Sequence, residues 1–258
     1  MIAANVEAAK YLLSRHVPAP YRIHEKPPET KYADLLEFLK EFKLSLPPWS
    51  KVRPGDYTKL LKKIRDRPDA TLLESVLLRS QSLAIYSPEN HGHFGLALSD
   101  YSHYTSPIRR YPDTSIHRVL SAFVEGMPAE EVRRRYAQFC ETSATESSRN
   151  EIRALIAERD AEDCYMAEYM SQHIGEHFEG TVSGVTMRGV FVRLENSVEG
   201  FVSLDAFEDE DFVYDGLITQ RSPKRELTIG TPLPIIVASA YVATGKVDFV
   251  PDKEKLDI

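Results

Sequence analysis

Two arginines set between two prolines form the densest chemical feature of this chain, in the run SPIRRYPD at residues 106–113. A guanidinium is a planar fork that meets two phosphate oxygens at once. Pro107 and Pro112 restrict the backbone on either side of Arg109 and Arg110, so the pair is suited to gripping phosphate. The same residues could instead form a buried arginine–carboxylate network that fixes a turn. The loop before them is rich in Tyr, Ser, Thr and His, with Tyr104 and Ser106 as further candidate contacts. Upstream, Phe94, Leu96 and Leu98 alternate with Gly95 and Ala97, a pattern that predicts a buried strand. Pro112 suits the first turn of a helix carrying Ile116, Val119, Leu120 and Phe123, which Gly126 and Pro128 end.

Other residues could also do chemistry. His24 beside Glu25 has the types of a general base and its partner, although a histidine in a structural turn is the simpler reading. The run Arg133, Arg134 and Arg135 is most simply a solvated face. The acidic residues 208–211 have the composition of a metal cluster, but consecutive carboxylates in a loop repel one another and stay solvated. Further on, Phe178, Arg188, Phe191 and Arg193 could stack on bases and meet a nucleic-acid backbone, and strand alternation puts Phe191 and Arg193 on one face.

The elements that must position these groups follow from composition and period. The chain has 258 residues, 42% of them hydrophobic and 28% charged, as in an ordinary globular protein with one large or two moderate domains. A net charge of -7 argues against nonspecific coating of nucleic acid, yet leaves room for a local basic groove. No apolar run approaches the roughly 20 residues of a membrane span, and the first nine residues lack a basic segment followed by an apolar core. A cytoplasmic location is the expectation. Cys140 and Cys164, the two cysteines, read as reduced, packed thiols.

Ile2, Val6, Ala9 and Leu13 recur at helical spacing, so residues 1–15 read as an amphipathic helix. It opens abruptly, as if an earlier part of a domain preceded it. A brief extended segment at 21–25 leads to a helix at 29–42 with Leu35, Leu36, Leu39 and Phe42 inward, then to helices near 56–66 and 69–83, with Asp69 as an N-cap. Residues 129–173 run without Pro or Gly, as one long or two abutting helices. From Gly175 the period changes to two. Strands at 178–185, 189–194, 200–204, 233–242 and 246–250 suggest a small closed barrel of the OB type. The predicted class is α+β, a mostly helical part followed by an all-β five-stranded barrel. The expected domains are 1–173 and 174–251, with a tail at 252–258.

Several of these stretches, taken together, carry a family likeness. LRS at 78–80, YSPEN at 86–90, HFGLAL at 93–98 and TSPIRRYPD at 105–113 resemble the second half of the RNB catalytic domain of the RNase II and RNase R exoribonucleases. IAANVEAA at 2–9 and YRIHEKP at 21–27 extend the likeness, and the wording of HFGLAL and YTSPIRRYPD is closer to the RNase R branch. The part from Gly175 onward resembles the RNA-binding OB-fold domain that follows RNB in that family.

The resemblance implies processive, hydrolytic release of nucleoside 5'-monophosphates from the 3' end of single-stranded RNA, with magnesium held by a cluster of aspartates. It implies that Arg109 contacts the scissile phosphate with Arg110 beside it, and that Glu158 lies near the leaving nucleotide. The aspartate cluster and a base-clamping tyrosine belong to the first half of the family's RNB domain, and no matching aspartate spacing occurs in this chain. Cold-shock-type domains and a lysine-rich tail are likewise missing from the match, and Ser203 stands where the family often has histidine. The expectation is therefore a fragment of an RNase R-like enzyme, inactive alone, whose magnesium ligands lie elsewhere. Expected partners are single-stranded RNA and the missing half of the RNB domain, with self-association through exposed apolar surface and no membrane. A non-catalytic RNA-binding module and one half of a split ribonuclease are the alternatives.

Overall fold

Helix α1 (Ile2–Ser14) buries Asn5, Ala8, Ala9 and Leu12, while Ile2 remains 56% exposed. Apolar periodicity alone centres the buried face on Ile2, Val6, Ala9 and Leu13, and the true face is rotated from it. The reason is a polar one: Asn5 is buried and turns inward to reach hydrogen-bond partners in a distant loop. The computed structural model describes residues 1–208, 210–215 and 218–256. These form two compact units, Met1–Arg67 with Glu74–Arg153, and Pro68–Leu73 with Ala154–Ile258.

After α1 come strand β1 (Tyr21–Ile23), helices α2 (Glu29–Glu41), α3 (Pro54–Ile64) and α4 (Ala70–Arg79), and strand β2 (Ile85–Ser87). In α2 the inward residues are Tyr32, Leu35, Phe38 and Leu39, so Phe38 takes the place expected of Leu36. β1 and β2 pair antiparallel, with Arg22 opposite Tyr86. Their outer edges are also used. The Arg22 amide donates to the Tyr101 carbonyl at 3.0 Å, and the Tyr86 amide donates to Ser148 Oγ at 2.9 Å.

The strand expected at 94–98 is not formed. Residues Phe94–Leu96 make a 3-10 turn, capped by His93 Nδ1 accepting from the Leu96 amide at 3.2 Å. The His93 amide donates to Leu98 O at 2.8 Å and the Leu98 amide donates back to His93 O at 3.2 Å, closing the segment on itself. Ala97 takes a left-handed conformation at φ 56°, and Leu96 is 41% exposed. The alternation of large and small residues thus reflects a tight turn, not a pleat.

Helix α5 (Tyr111–Val124) begins with Pro112 in its first turn and buries Ile116 and Val119. Helix α6 (Ala129–Ser171) runs unbroken for 43 residues. The core of the first unit gathers Ala9, Leu12, Val17, Tyr21, Ile23, Ile116, Val119, Val132 and Cys140. Among the described residues no helix is long and apolar enough to cross a membrane.

In the second unit, β3 (His177–Thr186), β4 (Gly189–Leu194), β5 (Glu199–Ser203), β9 (Pro232–Tyr241) and β10 (Lys246–Pro251) close a barrel in the order β10-β5-β4-β3-β9. Closure comes from parallel pairing of β10 with β5, Asp248 opposite Phe201 and Phe249 opposite Val202. Val182, Val190, Val192, Val202, Leu233, Ile235 and Phe249 fill the interior. The class is α+β, and five barrel strands fall where the period of two places them. Between β5 and β9 lies a small sheet, β6 (Val213–Tyr214), β7 (Thr219–Arg221) and β8 (Glu226–Thr228), whose two- or three-residue strands are too short to show a period. A short helix, α7 (Lys253–Leu256), follows the barrel.

Candidate functional site

The arginine turn is built around one buried carboxylate. Asp113, in the first turn of α5, has a fully buried side chain. Its Oδ1 accepts from the Ser106 amide at 2.7 Å and from Arg110 Nη2 at 2.7 Å, while Oδ2 accepts from Arg110 Nε at 2.9 Å. The Ser106 carbonyl in turn accepts from the amides of Arg109 and Arg110, at 3.3 and 3.1 Å. Arg110 therefore carries the arginine–carboxylate role that the sequence left open. Arg109 is different: it is exposed, and among the described residues its guanidinium has no hydrogen-bond or ion-pair partner. Beside it, Ile108 stands fully in solvent and Tyr111 is 54% exposed. The turn presents one free guanidinium on a rigid, projecting tip.

A second pair also acts on His103. Arg22 Nη1 and Nη2 donate to both Glu151 oxygens, at 2.6 and 3.0 Å, and the Arg22 guanidinium lies 4.6 Å from the centre of the Tyr86 ring. The Tyr86 hydroxyl is 2.9 Å from His103 Nδ1. Burial, and after it the charges of Arg110 and Arg22, push the His103 imidazole down to about 4. Burial pushes the Tyr86 phenol up to about 12. Both groups are therefore neutral near pH 7, and the bond joins a protonated phenol to an uncharged imidazole.

Ahead of the turn, Tyr104 stacks on His117, centroids 4.4 Å apart and planes at 20°. Asn5 accepts from the amides of Tyr104 and Thr105 at 3.0 and 3.2 Å. His24 uses both ring nitrogens on backbone, Nδ1 accepting from the Gly95 amide and Nε2 facing Ser82 O, each at 2.8 Å. It is the structural histidine of the simpler reading.

On the barrel, Phe191 and Arg193 share the outward face of β4, between inward Val190, Val192 and Leu194. Phe191 lies opposite Phe201 on β5, ring centroids 5.3 Å apart, and the two make an aromatic platform. Arg193 is paired with Glu199 at 3.0 Å, and Ser183 Oγ also donates to Glu199. The Arg188 side chain is exposed with no partner among the described residues. Phe178 does not join this face. It shares the parity of inward-facing Val182 on β3 and packs edge-on against His173 at 6.1 Å. Glu158 is an exposed residue of α6 in the second unit.

The sequence reading did not single out Asn5, Arg22, Tyr86, His103 or Phe201. Phe201 alone carried a local signal, since it alternates with Gly200 and Val202 along β5. Asn5, Tyr86 and Arg22 act through contacts about 60 to 130 positions apart in the chain, and His103 through Tyr86, 17 positions away, which no helix or strand period shows.

Of the acidic residues 208–211, Asp209 lies outside the described residues. Glu210 is not solvated: its side chain is 4% exposed and pairs with Arg225 at 2.8 Å. Glu208 pairs with Lys253 at 2.8 Å. Among the described residues no three His, Cys, Asp or Glu side chains converge on a point that could hold a metal ion. The carboxylate at the arginine turn, Asp113, has both oxygens engaged by protein donors. The residues present therefore do not fit the magnesium site that the resemblance implies.

The RNB domain matches residues 1–126 and the S1 RNA binding domain residues 171–249, so the chain is similar to proteins of the RNB family. Within it the similar proteins are of the Ribonuclease R type. Ribonuclease R 1 of Lactococcus lactis is 36% identical over 263 residues, covering 100% of this chain and 32% of that protein. Ribonuclease R of Escherichia coli is 35% identical, covering 96% of this chain and 32% of that protein. The structure of Mycoplasma genitalium RNase R in complex with ribose-methylated single-stranded RNA superposes with a TM-score of 0.87 at 27% identity, over 97% of this chain and 40% of that one. The chain spans about a third of the length of these curated relatives.

Proposed function

We propose that this chain is the phosphate-gripping and RNA-guiding portion of a 3'-to-5' exoribonuclease that hydrolyses single-stranded RNA to nucleoside 5'-monophosphates. The observation that carries the reading is the division of labour at the turn. Asp113 holds Arg110 through Nε and Nη2, while Arg109 is left free on a fixed tip. A free guanidinium there offers two parallel donors to the non-bridging oxygens of a phosphodiester, where negative charge grows during displacement. The aromatic platform of Phe191 and Phe201, with Arg188 nearby in sequence, suits the bases and backbone of a single strand. Likeness to Ribonuclease R proteins of three organisms supports the same substrate class.

The chain by itself lacks, among its described residues, the carboxylate cluster that would bring a metal to the scissile phosphate. We therefore infer that it binds RNA and does not cleave it alone. Incubation of the purified chain with magnesium and labelled single-stranded RNA tests this. The expected result is binding without mononucleotide release above an Arg109→Ala control; release above that level overturns the inference. A second reading, an RNA-binding module without a catalytic role, is favoured by the barrel platform. It gains if Phe191→Ala abolishes binding while Arg109→Ala leaves it unchanged.

A further inference from the structure

Three consecutive backbone amides lead into the arginine turn, and all three are taken by buried side chains. Asn5 Oδ1 accepts from Tyr104 at 3.0 Å and Thr105 at 3.2 Å, and Asp113 Oδ1 accepts from Ser106 at 2.7 Å. The carbonyl side is held too. Tyr104 O faces His117 Nε2 at 2.9 Å, and Ser106 O receives the amides of Arg109 and Arg110. Asn5 is 3% exposed and sits in the first turn of α1, about a hundred residues earlier in the chain. Its own orientation is fixed, because Nδ2 donates to the Tyr101 hydroxyl at 3.1 Å. The amide cannot flip without placing donor against donor at Tyr104 and Thr105.

This arrangement does more than satisfy a helix. A buried asparagine within the apolar face of α1 is unfavourable unless it makes such bonds, and the bonds it makes all lie on the segment that carries Arg109. Two anchors, Asn5 from α1 and Asp113 from α5, fix both ends of residues 104–106, and the Ser106 carbonyl passes that constraint to Arg109. Side chains and loops that must be ordered on binding reduce affinity, and a loop already ordered escapes that loss.

We propose that Asn5 is a positioning residue for the arginine turn: its amide oxygen fixes the backbone of Tyr104 and Thr105 so that Arg109 meets an RNA phosphate preorganised. The inference rests on the reading of Arg109 as the phosphate-gripping group. It differs from a purely structural role in one respect, that the effect of Asn5 on RNA affinity must pass through Arg109.

A double-mutant cycle on the full chain tests this, with a fluorescent oligoadenylate as the probe and Trp49 fluorescence reporting the fold. Arg109→Ala is expected to weaken binding about tenfold, as for loss of one charge-assisted contact. Asn5→Ala is expected to weaken it about three- to tenfold, and to add almost nothing in the Arg109→Ala background. Asn5→Asp keeps the acceptor for both amides and is expected to bind within about twofold of the parent. Losses at Asn5 and Arg109 that simply multiply overturn the proposal, as does an Asn5→Asp chain as weak as Asn5→Ala. If Asn5→Ala does not fold, Tyr101→Phe removes only the hydroxyl that orients the amide. Weakening that vanishes in the Arg109→Ala background supports the proposal, and unchanged binding overturns it. Should Arg109→Ala itself bind like the parent, the reading of Arg109 fails, and that failure is distinct from Asn5 acting independently of it.

Discussion

The Tyr86 hydroxyl and His103 Nδ1 stand 2.9 Å apart between two arginine–carboxylate pairs, and the imidazole in that bond is neutral near pH 7. Burial and the nearby guanidiniums hold His103 at about 4, against an ordinary value of 6.5. A folded-state value below the unfolded one means that the unfolded chain takes up the proton first as pH falls. The stabilising contribution is thus complete above about 6.5 and is lost as pH falls through 6.5 toward 4. His93, also pushed down to about 4 by burial, acts in the same direction. Because both rings are only half-buried, we expect on the order of 1 kcal/mol from each between pH 7 and pH 5. Urea unfolding followed by Trp49 fluorescence at the two pH values measures it. His103→Gln is expected to be less stable at pH 7 and to lose less on acidification; an equal loss in parent and variant counts against this account.

Asp113 is the carboxylate whose removal should cost most in the first unit. It is fully buried and accepts three hydrogen bonds, two of them from Arg110. Asp113→Ala leaves a partly buried guanidinium and the Ser106 amide without acceptors, a loss of about 2–4 kcal/mol. Asp113→Asn keeps one acceptor oxygen and should lose roughly half of that. Trp49, the only tryptophan, lies in the first unit, so its fluorescence in urea reports this effect without interference from the barrel. Loss of less than about 1 kcal/mol in Asp113→Ala would show that solvent replaces the missing acceptor.

How far the sequence foretold this molecule depends on the range of the interactions involved. The barrel was legible because inward Val190, Val192 and Leu194 alternate with outward Phe191 and Arg193, a period that any local window reveals. The turn at 94–98 was misread as a strand because its order comes from His24, some seventy residues away, whose Nδ1 accepts from Gly95. At the candidate site, the motif marked both arginines but could not say which one was free. That follows from Asp113 lying three residues beyond Arg110 on the first turn of α5, within bidentate reach of it and not of Arg109. Asn5 was invisible for a related reason: in an apolar helix pattern, an asparagine reads as the exposed face.

Gly200 provides a test of the barrel that leaves the first unit alone. A Cβ at this position would run into the Phe249 ring, which fills the interior of the closing strand. Gly200→Ala must displace that ring or separate β10 from β5, and overpacking of this kind typically costs about 1–3 kcal/mol. Thermal melts followed by circular dichroism in the β region should shift downward, while the urea midpoint read from Trp49 stays where it was. A shift in the Trp49 transition of the same size would mean that the two units unfold as one.

The cysteines should differ in reactivity. Cys140 is fully buried in the core of the first unit, and burial pushes its thiol up to about 12. Attack on a disulfide reagent requires the thiolate, so Cys140 should be silent in the folded chain and react only on unfolding. Cys164 is partly exposed and should react in the native state. Titration with an aromatic disulfide at mildly alkaline pH is expected to release one equivalent, then a second in denaturant. Two equivalents at once would contradict the packing around Cys140.

On the barrel, aromatic and cationic contributions can be separated because only one of them is already engaged by the protein. Phe191 and Phe201 present their rings with no polar group to displace, so Phe191→Ala should lose the stacking of one base, about 1–3 kcal/mol. Arg193, by contrast, is held by Glu199, which Ser183 also engages, and is not offered freely to a phosphate. Removing that competitor with Glu199→Gln should release the guanidinium to the RNA backbone. One added phosphate contact on a single strand steepens the dependence of log affinity on log salt by roughly 0.7. Binding to labelled oligoadenylate across a salt series therefore distinguishes the two residues: Phe191→Ala lowers affinity at every salt concentration with little change of slope, and Glu199→Gln raises it most at low salt. A Glu199→Gln chain with an unchanged slope would mean that Arg193 faces away from the bound strand, and would leave Arg188 as the cation of this face.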